Sequence, residues 1–327
     1  MAFRLAGLAM VAVLAALASL LVGGTPLALH DVLHALAHPR ARGDIATIVW
    51  QLRVPRVCIA LVVGAALAVA GALLQGMLRN PLVDPSLIGV SSGAAAAIVF
   101  ALVLGVAAPL VPAVGFVAGI ATAVLVATLA RRGAGIDVNR LILAGVSLSS
   151  FFAAIIATVL TRSRDADYST AIIAWLAGSL AGRGWHDLGF AAPYAIAGLL
   201  LALLSVPALN ALRLGDVRAA AVGVNVDRAQ WMILAGSSLL AASAVTLSGT
   251  VGFVGLIVPH IARRIVGSDT RNVVLASIGI GAALTALADA ASRTLIAPAE
   301  LPIGVLLAFI GVPTFLYLYL HGGASTR

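Results

Sequence analysis

Arg79–Gly93 reads RNPLVDPSLIGVSSG, and it separates two long apolar runs with a charge, two prolines, an Asn, an Asp and a pair of serines. Pro81 and Pro85 break the helical hydrogen-bond ladder, and Asp84 is costly in hydrocarbon. The stretch therefore cannot continue a lipid-facing helix. It reads as a tight connection at or just inside a membrane surface, held by packing against protein. At this point three roles stay open for it: a catalytic site, a gate, or only a turn.

The runs on either side set the fold class. Of the 327 residues, 62% are hydrophobic and 10% charged, with a mean hydropathy of +1.12. Soluble domains carry about 25% charged residues. Uncharged stretches of about 20 residues recur, each long enough to span a bilayer, and they are continuous rather than alternating as in a β-barrel. The expectation is an all-α polytopic membrane protein. Ten spans are expected, at 3–23, 54–77, 87–107, 111–130, 140–161, 188–207, 229–248, 253–266, 273–292 and 303–320. The even number puts both termini on one side. The run near the N-terminus lacks a good cleavage site and reads as a helix that stays.

All 20 basic residues are arginines, and the formal net charge is +8. With both termini inside, eight arginines fall outside: Arg40, Arg42, Arg53, Arg56, Arg162, Arg164, Arg183 and Arg293. The remaining twelve fall on the cytoplasmic side, which favours this orientation by the positive-inside rule. The scatter of arginines between spans argues against nucleic-acid binding. Without any lysine, the chain cannot supply a GxxxxGK phosphate loop and so no standard ATPase site of that kind. The single cysteine, Cys58, allows no intrachain disulfide. The outer segments 24–53 and 162–187 are long enough for short surface helices, and Tyr168, Trp175 and Trp185 in the second read as an interface belt or a substrate-facing lip. Inside, Asn210–Arg228 reads as a short amphipathic helix followed by a turn at Gly223, suited to cap the bundle or to plug into a groove on a soluble partner. No linker separates a second domain, so 1–327 reads as one membrane domain. A faint echo links the alanine-rich, glycine-bounded Gly64–Gly76 and Gly236–Gly249 regions.

Several motifs carry possible chemistry. Gly89-Val90-Ser91-Ser92-Gly93 fits GxSxG, but a nucleophile elbow needs a strand before it, and here the motif opens a transmembrane helix. His30, His34 and His38 share a helix face with only Asp31 nearby, and read as a wet face rather than a metal site. Asp289 is either a functional intramembrane acid or one half of an i,i+4 pair with Arg293. Gly249, Gly252 and Gly255 recur every third residue and suggest a thin helix face for close packing, followed by Pro259 and His260.

Taken together, LRVPR at 52–56 with GAALAVAGALLQG, RNPLVDPSLIGVSSG, RLILAGV at 140–146, WLAGSLAG at 175–182, GFVGLIVPHIARRIVG at 252–267 and ELPIGVLLAFIGVPTF at 300–315 resemble one family. It is the permease subunit of ABC importers for iron chelates (ferric siderophores, haem) and vitamin B12. The match spans almost the whole chain with the motifs in order. The resemblance implies a type II ABC importer permease fold of ten helices in a bacterial inner membrane. It also implies a homodimer with the substrate path along its interface, two ATP-binding subunits inside that hold ATP and Mg, and a periplasmic substrate-binding protein outside. No cofactor, metal or catalytic residue is implied in this chain, so it is a transporter part rather than an enzyme. By position the family's inner gate falls on Asn80 and Leu82, with a second gate at Val138 and Asn139, where IDVN departs from the small hydroxyl residues expected there. The coupling loop to the ATPase falls on Leu214, Gly215, Asp216, Val217, Arg218 and Gly223. The arginines that dock the binding protein fall on Arg53, Arg56 and Arg293. The expected cargo is a ferric siderophore or haem, with cobalamin as the alternative and an ATP-independent carrier as a further one.

Overall fold

Helix α4 (Val54–Met77) is the axis of the bundle, because its sequence is nearly all alanine, glycine and small aliphatics that let neighbours approach on every side. A Cβ on Gly64 would fall 2.1 Å from the Gly281 carbonyl oxygen, and one on Gly71 would fall 1.9 Å from that of Gly255. The computed structural model describes residues 1–23, 27–39, 43–132, 135–162 and 166–322. Arg40, Arg42, Arg164 and Arg327 lie outside these residues, as does the side chain of Tyr168.

The chain is mostly helical, in the order α1 (Ala2–Leu21), α2 (Leu29–Ala37), α3 (Asp44–Thr47), α4, α5 (Val90–Val103), α6 (Val111–Leu129), α7 (Val138–Arg162), α8 (Ala166–Ala177), α9 (Trp185–Leu212), α10 (Asp216–Ala221), α11 (Val226–Ser248), α12 (Val254–Val266), α13 (Thr270–Ser292) and α14 (Ile303–Gly322). Around α4 stand α9, α11, α12 and α13, with α1 against α13 and the α5–α6–α7 group on the far side of α11. The two echoing segments, 64–76 and 236–249, lie on the two most enclosed spans, α4 and α11, which touch each other.

Seven helices among the described residues are long and apolar enough to cross a membrane: Ala2–Leu21, Asp44–Met77, Ala108–Leu129, Val138–Arg162, Trp185–Leu212, Val226–Ser248 and Thr270–Ser292. The third, eighth and tenth expected spans fall on α5, α12 and α14, of 14, 13 and 20 residues. The second span starts earlier than its hydropathy indicates. Through a π-helical stretch, Ile48–Arg53, α3 runs into α4 as a single 34-residue helix. Packing explains the extension: Val49 is buried against Val32 and Ala35 of α2, and the Trp50 indole N–H donates to the Ala35 carbonyl at 2.8 Å.

Two further features depart from the sequence reading. Gly249, Gly252 and Gly255 do not form one helical face, because α11 ends at Ser248 and α12 begins only at Val254. Gly249 has φ 68°, caps α11 and lies against the Trp175 carbonyl of α8, Gly252 faces open space, and Gly255 packs on Gly71 of α4. Between α6 and α7, Arg131-Arg132 and Gly135-Ile136 pair as a two-stranded antiparallel hairpin held by Gln230, whose Oε1 accepts from the Ile136 N–H at 2.9 Å.

Candidate functional site

The 79–93 stretch is a structured plug. Arg79 takes a left-handed φ of 52°, uncommon and costly for a side chain of its size. That conformation turns the chain out of α4 and sends its guanidinium toward α10. Asn80 then makes an Asx turn, its Oδ1 accepting from the Leu82 N–H at 2.9 Å. Asp84 repeats the device with the Ser86 N–H at 2.9 Å and opens a 3-10 turn, Pro85–Ile88. Burial pushes the Asp84 carboxyl above its ordinary range, and the Ser86 hydrogen bonds oppose that shift. Gly89, at φ 78°, starts α5.

Three neighbours fix the plug from the sides. The buried Gln75 carboxamide donates to the carbonyls of Val83, Gly255 and Leu256 at 3.1, 3.1 and 3.2 Å. Its own oxygen accepts from Arg263 at 2.6 Å. Pro85 sits on Gly255, where a Cβ would come within 2.4 Å of its ring, and the Leu87 carbonyl sits on Gly145 of α7. Val83 and Ile88 are buried, while Leu82 is 45% exposed and projects from the plug. Of the two expected inner-gate residues, Asn80 therefore shapes the turn and Leu82 is the side chain it presents.

Val138 and Asn139, the expected second gate, stand at the start of α7, Val138 half-buried against the core and Asn139 exposed. Asp137 caps that start by accepting from the Arg140 N–H at 3.0 Å. The plug meets this helix at Gly145, two turns, or about 10 Å, further along.

Helix α10 is the other half of the site. Gly215 at φ 106° and Gly223 at φ 87° bracket it. Leu214, Val217 and Val222 are 61, 85 and 69% exposed, and Ala219 alone is fully buried. A short knob of this kind, with apolar side chains exposed, has a shape that a groove on a partner could receive. Asp216, at its first turn, pairs with Arg79 across 3.4 Å. The plug and the knob, expected separately from the sequence, are thus in direct contact.

The family pattern of the FecCD transport family matches residues 10–321. The chain belongs to that family. The hemin transport system permease protein HmuU of Yersinia pestis is 39% identical over 280 residues, covering 84% of this chain and 83% of that protein. The cobalamin import system permease protein BtuC of Halobacterium salinarum is 38% identical over 280 residues, covering 83% of this chain and 73% of that protein. A solved structure of an inward-facing metal-chelate type ABC transporter matches with a TM-score of 0.88 and 32% identity, over 98% of this chain and 99% of that one. This FecCD chain is thus a transport permease and a multi-pass membrane protein.

At the opposite end of the FecCD bundle the three expected docking arginines come together, but their donors point inward. Arg56 donates through Nε to Asp289 at 2.9 Å and through both terminal nitrogens to Glu300 at 3.0 and 2.8 Å. Arg293 pairs with Asp289 at 3.0 Å and donates to Ser19 and to the Val22 carbonyl. Arg53, 5% exposed, donates to the Leu20 and Leu21 carbonyls. Asp289 is fully buried, so the i,i+4 pair with Arg293 is real and Arg56 makes it a three-membered cluster. Sequence reading missed Glu300, since 244 residues separate it from Arg56.

Between α5 and α7, Ser86, Ser91, Ser92, Ser149, Ser150 and Thr250 line a cavity of about 530 Å³. The Ser92 hydroxyl lies 3.0 Å from that of Ser149 and also bonds the Gly89 carbonyl. GxSxG is thus a helix-start and packing motif, and among the described residues no histidine hydrogen-bonds either serine. Helix α7 itself is the least enclosed long span beside α1, with Leu143, Val146 and Phe151 exposed. His30, His34 and His38 stack along α2 with ring centroids 6.1 and 4.4 Å apart, ring faces together rather than nitrogens converging.

Proposed function

We propose that this chain is the membrane-spanning subunit of an ATP-driven importer for an iron chelate, a ferric siderophore or haem, working by alternating access. The observation that carries the reading is the contact between plug and knob. Arg79–Asp216 ties an exposed docking helix to the stretch that closes one end of the bundle, which is what an engine on a separate chain needs to pull on. In this reading all ten apolar helices span a bacterial inner membrane, residues 1–327 act as one permease domain, and both termini are cytoplasmic.

The parts follow from that orientation. The Arg79 end faces the cytoplasm, where two ATP-binding subunits, holding ATP and Mg, receive Leu214–Arg218 and the turn at Gly223. The exposed apolar face of α7 and its serine-lined cavity support a homodimer whose two copies enclose the path, with Leu82 and the Val138–Asn139 corner closing it below. A periplasmic substrate-binding protein docks at the Arg56 end. Arg56, bidentate on the half-exposed Glu300, is the arginine best placed to exchange partners with an acidic residue of that protein, while Arg53 and Arg293 hold the end rigid. Cobalamin is the second reading of the cargo, favoured by the cobalamin permease among the relatives.

Reconstitution of the subunit with its ATPase and binding protein in proteoliposomes tests this. Uptake of a labelled iron chelate that requires ATP and all three components is the expected result. Uptake of cobalamin alone moves the cargo to the second reading, and uptake without ATP makes the chain a secondary carrier. Charge reversal at Asp216 or Arg218 is expected to weaken ATPase binding in pull-downs while leaving membrane insertion intact.

A further inference from the structure

At the Arg79 end, a cavity of about 260 Å³ opens between the ends of α4, α9 and α12 and the start of α13. Arg79, Arg213 and Arg263 line it. Arg79 has Asp216 as a partner, but among the described residues no carboxylate lies within ion-pair distance of Arg213 or Arg263. Arg213 donates to the Ser268 carbonyl and, at 3.4 Å, to the Thr270 hydroxyl. Arg263 donates to Gln75 at 2.6 Å. These acceptors are neutral, and each guanidinium has five N–H donors, so most remain available.

Two like charges facing one small cavity, with only neutral acceptors, leave its field open to an anion. The cavity lies below the ~300–1,000 Å³ of sites for drug-sized ligands, which suits a single anionic group. The guanidinium fork matches phosphate oxygens in pairs. The ends of three long spans, α4, α9 and α13, and of the shorter α12 meet here, so the cavity stands at the height where lipid headgroups lie, and basic pockets between spans at that level hold anionic headgroups.

We propose that this cavity binds a phosphate group between Arg213 and Arg263 with Arg79 at its rim, carried by an anionic phospholipid headgroup or free in solution. The site does not depend on the transport reading, because it rests on the cavity and its unpaired cations alone.

Native mass spectrometry of the delipidated full chain, re-exposed to phosphatidylglycerol or phosphatidylcholine, tests it. The wild type is expected to retain phosphatidylglycerol preferentially, with affinity falling about tenfold for each arginine removed in Arg213→Gln/Arg263→Gln. Arg264→Gln, an exposed neighbour outside the lining, is expected to bind as wild type does. If the double variant does not insert, Arg213→Gln alone carries the comparison, since that side chain is exposed. Displacement of the lipid by inorganic phosphate identifies free phosphate as a sufficient ligand; retention against phosphate identifies the headgroup. Either outcome supports the site. Equal retention of both lipids by wild type with no effect of phosphate overturns it. So does a double variant that binds phosphatidylglycerol and phosphate normally but loses its ATPase partner, which would assign these arginines to a protein carboxylate.

Discussion

Asp289 shows how one buried carboxylate organises a whole end of this protein. It is fully buried and pairs with Arg56 and Arg293 at once, Glu300 on Arg56 supplying the second negative charge. Removing it strands the buried Arg293 guanidinium and leaves Arg56 with Glu300 alone, so Asp289→Ala is expected to cost about 3–5 kcal/mol, read as a lowered midpoint of thermal unfolding in detergent. Unfolding unchanged within error would mean that the cluster is solvated and structurally idle. In contrast, Leu82→Ala removes a half-exposed side chain and is expected to shift stability by less than about 0.5 kcal/mol while raising passive dye leakage from proteoliposomes. Asn80→Ala deletes the acceptor for the Leu82 N–H and is expected to cost about 1 kcal/mol and to leak as well. Tight, fully coupled vesicles from both variants would reduce the plug to a structural turn. At this scale the sequence is legible where spacing is local: Asp289 and Arg293 are four apart, and Pro81 and Pro85 mark the break between two helices. Glu300 on Arg56 and Gln75 on Gly255 were invisible, because only the fold brings such distant positions together.

Among the elements, hydropathy located the long spans and missed what packing alone decides. The start of α3 at Asp44 could not be read, since Asp44 and Arg53 end the apolar run while burial of Val49 against α2 continues the helix. The 131–136 hairpin is two residues a side and carries no period to detect. The glycine triplet at 249, 252 and 255 gave the opposite error, a helical period on a chain that is not helical until Val254. The structure separates those glycines sharply. Gly71→Ala puts a methyl group 1.9 Å from the Gly255 carbonyl and is expected to lower stability by at least about 1–3 kcal/mol, whereas Gly252→Ala, facing open space, is expected to change it by less than about 0.5 kcal/mol. Thermal unfolding of the two variants side by side checks the contrast, and equal effects would mean that α4 and α12 are not in register at Gly71. For α10, Val217→Ala is expected to leave unfolding unchanged, since the side chain is 85% exposed, yet to weaken ATPase binding.

For the whole molecule, the class was readable from composition, and the family from six motifs in order. What sequence could not supply was the joint between the two places where function was expected. Arg79 and Asp216 lie far apart in sequence and meet at the bundle's end, each about two-fifths exposed. As an exposed pair it contributes only about 0–1 kcal/mol to stability, so in the proposed function its value lies in linking α10 to the 79–93 stretch rather than in holding the fold. Motion of α10 would then reach Leu82 through one side chain and one strained backbone turn. The most direct measurement is a charge-swap cycle on ATP-dependent uptake of the chelate in proteoliposomes with ATPase and binding protein present. Arg79→Asp and Asp216→Arg are each expected to uncouple ATP hydrolysis from uptake, and Arg79→Asp/Asp216→Arg to recover most of it. Single variants that transport as wild type does, or a double variant no better than either single, would contradict the coupling of plug and knob through this pair.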